Sequence, residues 1–127
     1  MTLTLKIVSG LFALLFLFMG AGFLFDPAGS GSNVGLSPLG ALGLNTLRGD
    51  MAGLFLASTA FIGLGLFLRN GTWLLAAAVL MLFIAAGRLL GFVFDGNPTQ
   101  PTLTAFAFEI VIAGVLIATS RKLQAPA

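Results

Sequence analysis

Charged side chains are so rare in this sequence that they leave four long apolar runs between them. The runs cover residues 7–25, 51–68, about 72–94 and about 102–119. The first two contain no charge, the third contains only Arg88 and the fourth contains only Glu109. A helix needs about 20 residues to cross a hydrocarbon core about 30 Å thick, so all four runs are long enough to span a membrane.

Composition supports the same class of protein. Charged residues are 8% of the 127 and hydrophobic residues 58%, whereas a soluble domain has roughly 25% charged residues to build its polar shell. Open strands cannot span lipid, and the runs lack the alternation of a closed barrel. We predict an all-α, four-transmembrane-helix bundle with up-down-up-down topology. Its helices cover about 5–25, 47–68, 72–94 and 102–120 of a single membrane domain, 1–127, with a long outer loop at 26–46.

The missing residue types exclude several kinds of chemistry. The sequence has no Cys, no His and no Tyr, which removes thiolate chemistry, Ser-His-Asp triads and metal or haem sites built on histidine. We therefore expect no enzymatic activity, no metal and no cofactor. The basic pI reflects a net charge of only +2, so we expect no nucleic-acid partner.

Basic residues predict the orientation. Lys6, Arg69, Arg121 and Lys122 fall on one side of a four-span protein, whereas the aspartates at 26, 50 and 95 fall on the other. The positive-inside rule then places both termini in the cytoplasm, and we expect the bacterial inner membrane.

The first run could also be a signal peptide. It is too long for the usual apolar core of one, and Asp26-Pro27 follows it where small residues would stand, so we expect it to remain as a helix.

The connections differ in character. Arg69-Asn70-Gly71 predicts a tight inner turn, and Asp95 to Pro101 predicts a short outer loop rich in turn-forming residues. The first outer loop is rich in Gly and Ser. Within it, Ser37-Pro38 would start a short apolar helical turn through Leu44; a flexible loop fits the sequence equally well.

Small residues recur at helical spacing on three of the predicted spans. The candidate packing residues are Gly49, Gly53 and Ala57 on the second span, Gly87 and Gly91 on the third, and Gly114 on the fourth. Helices in lipid associate through such residues because their backbones can approach closely. We interpret them as faces for packing within the bundle, and self-association of the chain is the alternative.

Two charged residues lie inside the predicted spans, and we expect each to have a partner there. Arg88 lies seven residues before Asp95, and Glu109 lies seven residues after Thr102, so both lie about 10 Å below the outer surface at 1.5 Å per residue. A lone intramembrane charge costs on the order of 3 kcal/mol. Since the third and fourth spans are antiparallel neighbours, we predict an Arg88–Glu109 ion pair.

A wider polar cluster is predicted around this pair. Asp50 and Asp95 would face it from the outer helix ends, Arg48 would contact it from the loop, and Asn45 would cap the second span. In one interpretation the cluster fixes helix register as a polar clasp. In the other it lines an outward-facing cavity that binds a polar head group or a proton.

Three landmarks carry a resemblance to a known family. They are an Asn-x-x-Arg-Gly-Asp-x-x-Gly stretch opening the second span (Asn45, Arg48, Gly49, Asp50, Gly53), a Gly-Arg-x-x-Gly-x-x-x-Asp-Gly-x-Pro stretch closing the third (Gly87, Arg88, Gly91, Asp95, Gly96, Pro98) and Glu109 in the fourth. In these residues the chain resembles a bacterial four-helix membrane family known as a domain of unknown function. Its layout is also similar to the DoxX-like membrane proteins. The resemblance implies the fold and the polar cluster and no catalytic residue.

We expect a non-enzymatic accessory or scaffolding protein in the lipid bilayer, acting as a subunit of a membrane complex or as a homo-oligomer. The alternative is a binder or carrier of a small lipophilic ligand, a quinone or a lipid, in the outer pocket. A proton-coupled transporter is the third hypothesis. It ranks last because four helices of this length would have to oligomerise to enclose a path.

Overall fold

The computed structural model describes residues 1–96 and 98–124, and these contain helices and no strand. The helices are α1 (Thr2–Phe25), α2 (Pro27–Asn33), α3 (Gly40–Thr46), α4 (Ala52–Leu68), α5 (Gly71–Phe94) and α6 (Gln100–Gln124), with a π-helical turn, Leu47–Met51, between α3 and α4. The all-α prediction is therefore confirmed. Asn97, in the predicted third loop, lies outside the described residues.

Four helical stretches are long and apolar enough to cross a membrane, as predicted. They are Thr2–Phe25, Gly40–Leu68, Gly71–Phe94 and Gln100–Gln124. Each is longer than the run read from the sequence. Polar residues such as Thr2, Gln100 and Arg121 extend the first and fourth helices past their apolar parts. The alternating direction of the four spans and the side on which the termini lie stay predictions.

The segment 26–46 differs from the long loop that the sequence suggested. Asp26 caps α2 by accepting a hydrogen bond from the Gly29 N–H at 3.1 Å, and Pro27 takes the first helical position, where its missing N–H has no consequence. The helical turn expected after Ser37-Pro38 is α3, which begins at Gly40 and continues through the π turn into α4. The second long helix thus starts at Gly40 and not near residue 47.

Two compact units divide the chain. One consists of Met1–Gly10 and Phe61–Ala127, and the other of Leu11–Ala60. The prediction of a single membrane domain stays a prediction.

In the first unit, α5 and α6 pair as antiparallel helices. Near one end, Ser120 Oγ donates a 2.8 Å hydrogen bond to the carbonyl oxygen of Gly71. Toward the other end, the rings of Phe92 and Phe106 meet edge to face with centroids 5.7 Å apart. A Cβ at Gly71 would collide with the Ser120 carbonyl, so glycine there allows the backbones to approach closely.

The start of α1 and the end of α4 complete this unit at the Gly71 end. Ser9 and Thr119, both fully buried, share a hydrogen bond of 2.9 Å between their hydroxyl oxygens. Gly65 of α4 lies against the side chain of Leu74. These contacts bring Lys6, Arg69, Arg121 and Lys122 to one end of the unit, since each lies within four residues of a contact residue.

The second unit packs the later part of α1 against the π turn and the first part of α4. Its core contains Phe23, Leu47 and Ala52, and the ring of Phe55 stacks on that of Phe23 with centroids 5.8 Å apart. Gly20 admits the side chain of Leu56, which a Cβ would displace. The unit therefore contains a close helix contact of the kind that membrane helices make through small residues.

Candidate functional site

Arg88 of α5 and Glu109 of α6 form the ion pair that their depths predicted. The Nε–H of Arg88 donates to both carboxylate oxygens, at 2.7 Å to Oε1 and 3.0 Å to Oε2. The Glu109 side chain is 12% exposed and that of Arg88 is 36% exposed. The carboxylate is thus the more enclosed partner, and the guanidinium reaches outward from it.

The geometry of this pair leaves most of the guanidinium free. Arginine has five N–H donors, and a full fork–fork pair with a carboxylate uses two of its nitrogens. Here only Nε donates hydrogen bonds to Glu109, and the two Nη groups donate none within residues 1–96 and 98–124. In that same part of the chain no buried side-chain nitrogen or oxygen lacks a partner, so the Nη groups are accessible.

A cavity of about 380 Å³ adjoins Arg88 at this end of α5 and α6. We call it the site cavity, and its lining residues are Gly87, Arg88, Gly91, Phe92, Asp95, Gly96, Pro98, Thr99 and Thr102. Small-molecule sites in proteins measure about 300–1,000 Å³. The site cavity is therefore large enough for the head group of a lipid or a similarly small polar group.

Asp95 places a carboxylate on the same side of α5 as Arg88. It forms the C-cap of the helix, its N–H donates to the Gly91 carbonyl at 2.8 Å, and Gly96 follows with a φ of 100°. A Cβ at Gly91 would come within 3.5 Å of Asp95 Oδ2. An acidic side chain at a helix C-terminus opposes the helix dipole, so stabilisation of α5 does not explain its position.

Threonine hydroxyls form the α6 side of the site cavity. Thr102 Oγ1 donates to the Thr99 carbonyl at 2.8 Å and lies 3.1 Å from Thr99 Oγ1. These bonds hold the Thr102 side chain against Thr99, the residue just before α6. The rim of the site cavity is thus held by local hydrogen bonds, with Pro98 beside it.

Residues 4–119 match the model of a family described as a domain of unknown function, DUF4345. The chain belongs to the DUF4345 family. The match covers every landmark of the resemblance, from Asn45 to Glu109, and four long apolar helices fit a small membrane protein. No curated protein matches this DUF4345 chain, and no solved structure does. The resemblance to DoxX-like proteins stays a prediction.

Three predicted members of the polar cluster lie in the second unit of the DUF4345 chain. Asn45 lies exposed inside α3, so it does not cap a helix as predicted, because the helical backbone begins five residues earlier. Arg48 Nε donates to the Leu24 carbonyl at 3.0 Å and thereby satisfies an end carbonyl of α1. Asp50 is exposed and lines a cavity together with Leu42 and Thr46 of α3. Their predicted contact with the Arg88 pair stays a prediction.

The small residues predicted to pack helices do not all do so. A Cβ built at Gly49, Gly53, Gly87 or Gly114 meets no atom within 4 Å in the described part of the DUF4345 chain, and one at Gly91 meets only Asp95. Ala57 is half-buried. The close approaches occur instead at Gly20, Gly65 and Gly71. The spacing of small residues identifies the helix face on which they lie. It does not show whether that face contacts another helix or lipid, because lipid is as apolar as a neighbouring helix.

Sequence reasoning missed two parts of the DUF4345 structure that bear on the site. Phe92 and Thr99 line the site cavity, and no pattern in the sequence marked them. Ser9, Thr119 and Ser120 form buried hydroxyl contacts at the far end of α5 and α6. A signal for these existed, since a hydroxyl inside an apolar run needs a partner.

Proposed function

We propose that this protein is a non-enzymatic membrane protein that binds the polar head of a small lipophilic molecule in the site cavity. The observation that supports the proposal is the one-nitrogen contact between Arg88 and Glu109. It neutralises the charge of the guanidinium while leaving both Nη groups accessible beside a cavity. A polar clasp alone would be expected to use more of the guanidinium, because unsatisfied donors in lipid are costly.

The lining of the site cavity indicates the chemistry of the head group. The Nη groups of Arg88 can donate to a ligand oxygen, whereas the carboxylate of Asp95 can only accept. A head group that carries both an acceptor oxygen and a hydroxyl or ammonium donor would satisfy both side chains. A quinone offers acceptors alone and would leave Asp95 without a partner. The proposal therefore favours a lipid head group over a quinone.

The proposed orientation follows from charge. Lys6, Arg69, Arg121 and Lys122 gather at one end of the first unit, and the positive-inside rule supports a cytoplasmic position for that end. The site cavity lies at the opposite end of α5 and α6 and would open to the outer leaflet. A bacterial inner membrane is part of this proposal.

Native mass spectrometry of protein released from mild detergent tests the binding. Arg88→Lys keeps the positive charge beside Glu109 but removes the planar fork, and Arg48→Lys is the matched control on an arginine outside the site cavity. We expect a lipid-sized adduct on the wild type and on Arg48→Lys, and loss of about tenfold or more of it in Arg88→Lys. Equal adducts on all three proteins would overturn the proposal.

A second function, as an accessory subunit of a membrane complex or as a homo-oligomer, is favoured by a different observation. Gly53, Gly87 and Gly114 leave open faces on the long helices, and another membrane helix can approach closely at such a face. Co-purification tests it. Gly53→Leu, outside the site cavity, should release a partner chain that the wild type retains, while Gly63→Leu on another open position should keep it. Retention by both variants would count against this role.

A further inference from the structure

A second cavity lies on α6 at the end opposite to the site cavity. It measures about 470 Å³ and is lined by Gly114, Ile117, Ala118, Arg121 and Lys122. These residues follow the helix over two turns, with small and apolar residues first and basic residues last. We call this surface the basic groove.

The positive charge of the basic groove has no partner among the described residues of its unit. Arg121 and Lys122 are exposed and form no hydrogen bond or ion pair through their side chains within the described residues. The acidic side chains of that unit, Asp95 and Glu109, are far along the helices, since Glu109 precedes Arg121 by twelve residues, about 18 Å of helix. Basic residues in the last turn of a helix also interact favourably with the helix dipole, but this interaction does not require a groove beside them.

The apolar part of the groove is shaped to take a chain. Gly114 has no side chain, a Cβ there meets no atom within 4 Å, and Ala118 stands one turn further along. Together they leave a shallow slot that runs along the helix toward Arg121. An acyl chain fits such a slot, because it needs apolar walls and no hydrogen bonds.

We propose that the basic groove binds an anionic phospholipid, with an acyl chain over Gly114 and Ala118 and the phosphate at Arg121 and Lys122. Guanidinium and ammonium groups both bind phosphate, the guanidinium in a forked geometry and the ammonium as a point charge. The basic groove has two cations and no acidic side chain in its lining. This lining favours a lipid with net negative charge over a zwitterionic one, whose quaternary ammonium would lie beside like charges. This binding is independent of the site cavity.

The test uses the full chain in nanodiscs containing equal amounts of phosphatidylglycerol and phosphatidylcholine, followed by native mass spectrometry of the released protein. We expect phosphatidylglycerol to be enriched among the bound lipids by about tenfold over phosphatidylcholine. The double variant Arg121→Gln/Lys122→Gln should abolish the enrichment. No enrichment on the wild type would overturn the proposal.

A matched double variant separates a site from general attraction. Lys6→Gln/Arg69→Gln removes the same charge from the same end of the unit but leaves the basic groove intact, and it should keep the enrichment. Equal loss in both double variants, or loss in neither, would contradict a site at Arg121 and Lys122.

Filling the slot provides a second test that keeps every charge. Gly114→Leu is expected to lower the bound phosphatidylglycerol about threefold or more, because the leucine occupies the acyl path. The substitution meets open space, so the fold should survive it. Wild-type retention of phosphatidylglycerol in this variant would contradict the acyl slot.

Discussion

Arg88 Nε lies 2.7 Å and 3.0 Å from the two oxygens of Glu109, and the two side chains stand at matching depths on antiparallel helices. Arg88 lies six residues before Phe94, the last residue of α5, and Glu109 lies nine residues after Gln100, the first residue of α6. Both charges thus lie in the halves of α5 and α6 next to the connection, and the antiparallel packing of the two helices brings them together.

Removing one partner of this pair should destabilise the protein more than removing both. Arg88→Met and Glu109→Gln should each cost on the order of 2–3 kcal/mol, because each leaves a polar or charged group without its partner near lipid. The double variant should cost less than either single variant, because it leaves no unpaired partner behind. Thermal unfolding of all four proteins in one detergent measures this coupling, and additive losses would show that the pair contributes nothing as a pair.

Glycine at position 71 should be far less replaceable than glycine at position 87 of the same helix. A Cβ at Gly71 collides with Ser120, whereas one at Gly87 meets open space. Gly71→Ala should therefore lower thermal stability by about 1–3 kcal/mol through overpacking, while Gly87→Ala should be neutral or stabilise by up to about 1 kcal/mol through helix propensity. The opposite ranking would show that the stripe containing Gly87 is the packed face.

Single cysteines test the proposed orientation, since the chain has no Cys of its own. Asn70→Cys in the turn between α4 and α5 should react with a membrane-impermeant maleimide only after the cells are opened. Gln100→Cys at the start of α6 should react in intact cells, because the positive-inside rule places it outside. Labelling of Asn70→Cys in intact cells would reverse the orientation.

Particular residues explain why the spans and the ion pair could be read from the sequence. The four spans were predictable from the length of the apolar runs alone. Arg88 and Glu109 were conspicuous because an unpaired intramembrane charge is costly. The start of the second long helix at Gly40 was hidden, because Gly and Ser between residues 28 and 43 are typical of loops. The π turn at Leu47–Met51 leaves no mark in the sequence.

The packing faces were harder to predict for a physical reason. Burial does not sort residues in lipid as it does in water, so Gly53 and Gly87 were as plausible at a helix contact as Gly20 and Gly71. The buried hydroxyls carried more information than the glycines. Ser9 and Thr119 hydrogen bond across 110 positions of sequence, and each stands in an apolar run where a lone hydroxyl would lack a partner.

The central claim is that the site cavity holds a ligand head group, and filling the cavity tests it most directly. Gly91→Leu adds a side chain to the cavity lining, where a Cβ meets only Asp95, and it keeps both Arg88 and Glu109. Gly63→Leu is the control at an exposed position where a Cβ meets no atom within 4 Å in the described residues. Native mass spectrometry should show the bound lipid on the wild type and on Gly63→Leu, and little on Gly91→Leu. Thermal unfolding should show that all three proteins are folded. An unchanged lipid adduct on folded Gly91→Leu would contradict the claim and leave Arg88 and Glu109 as a structural clasp.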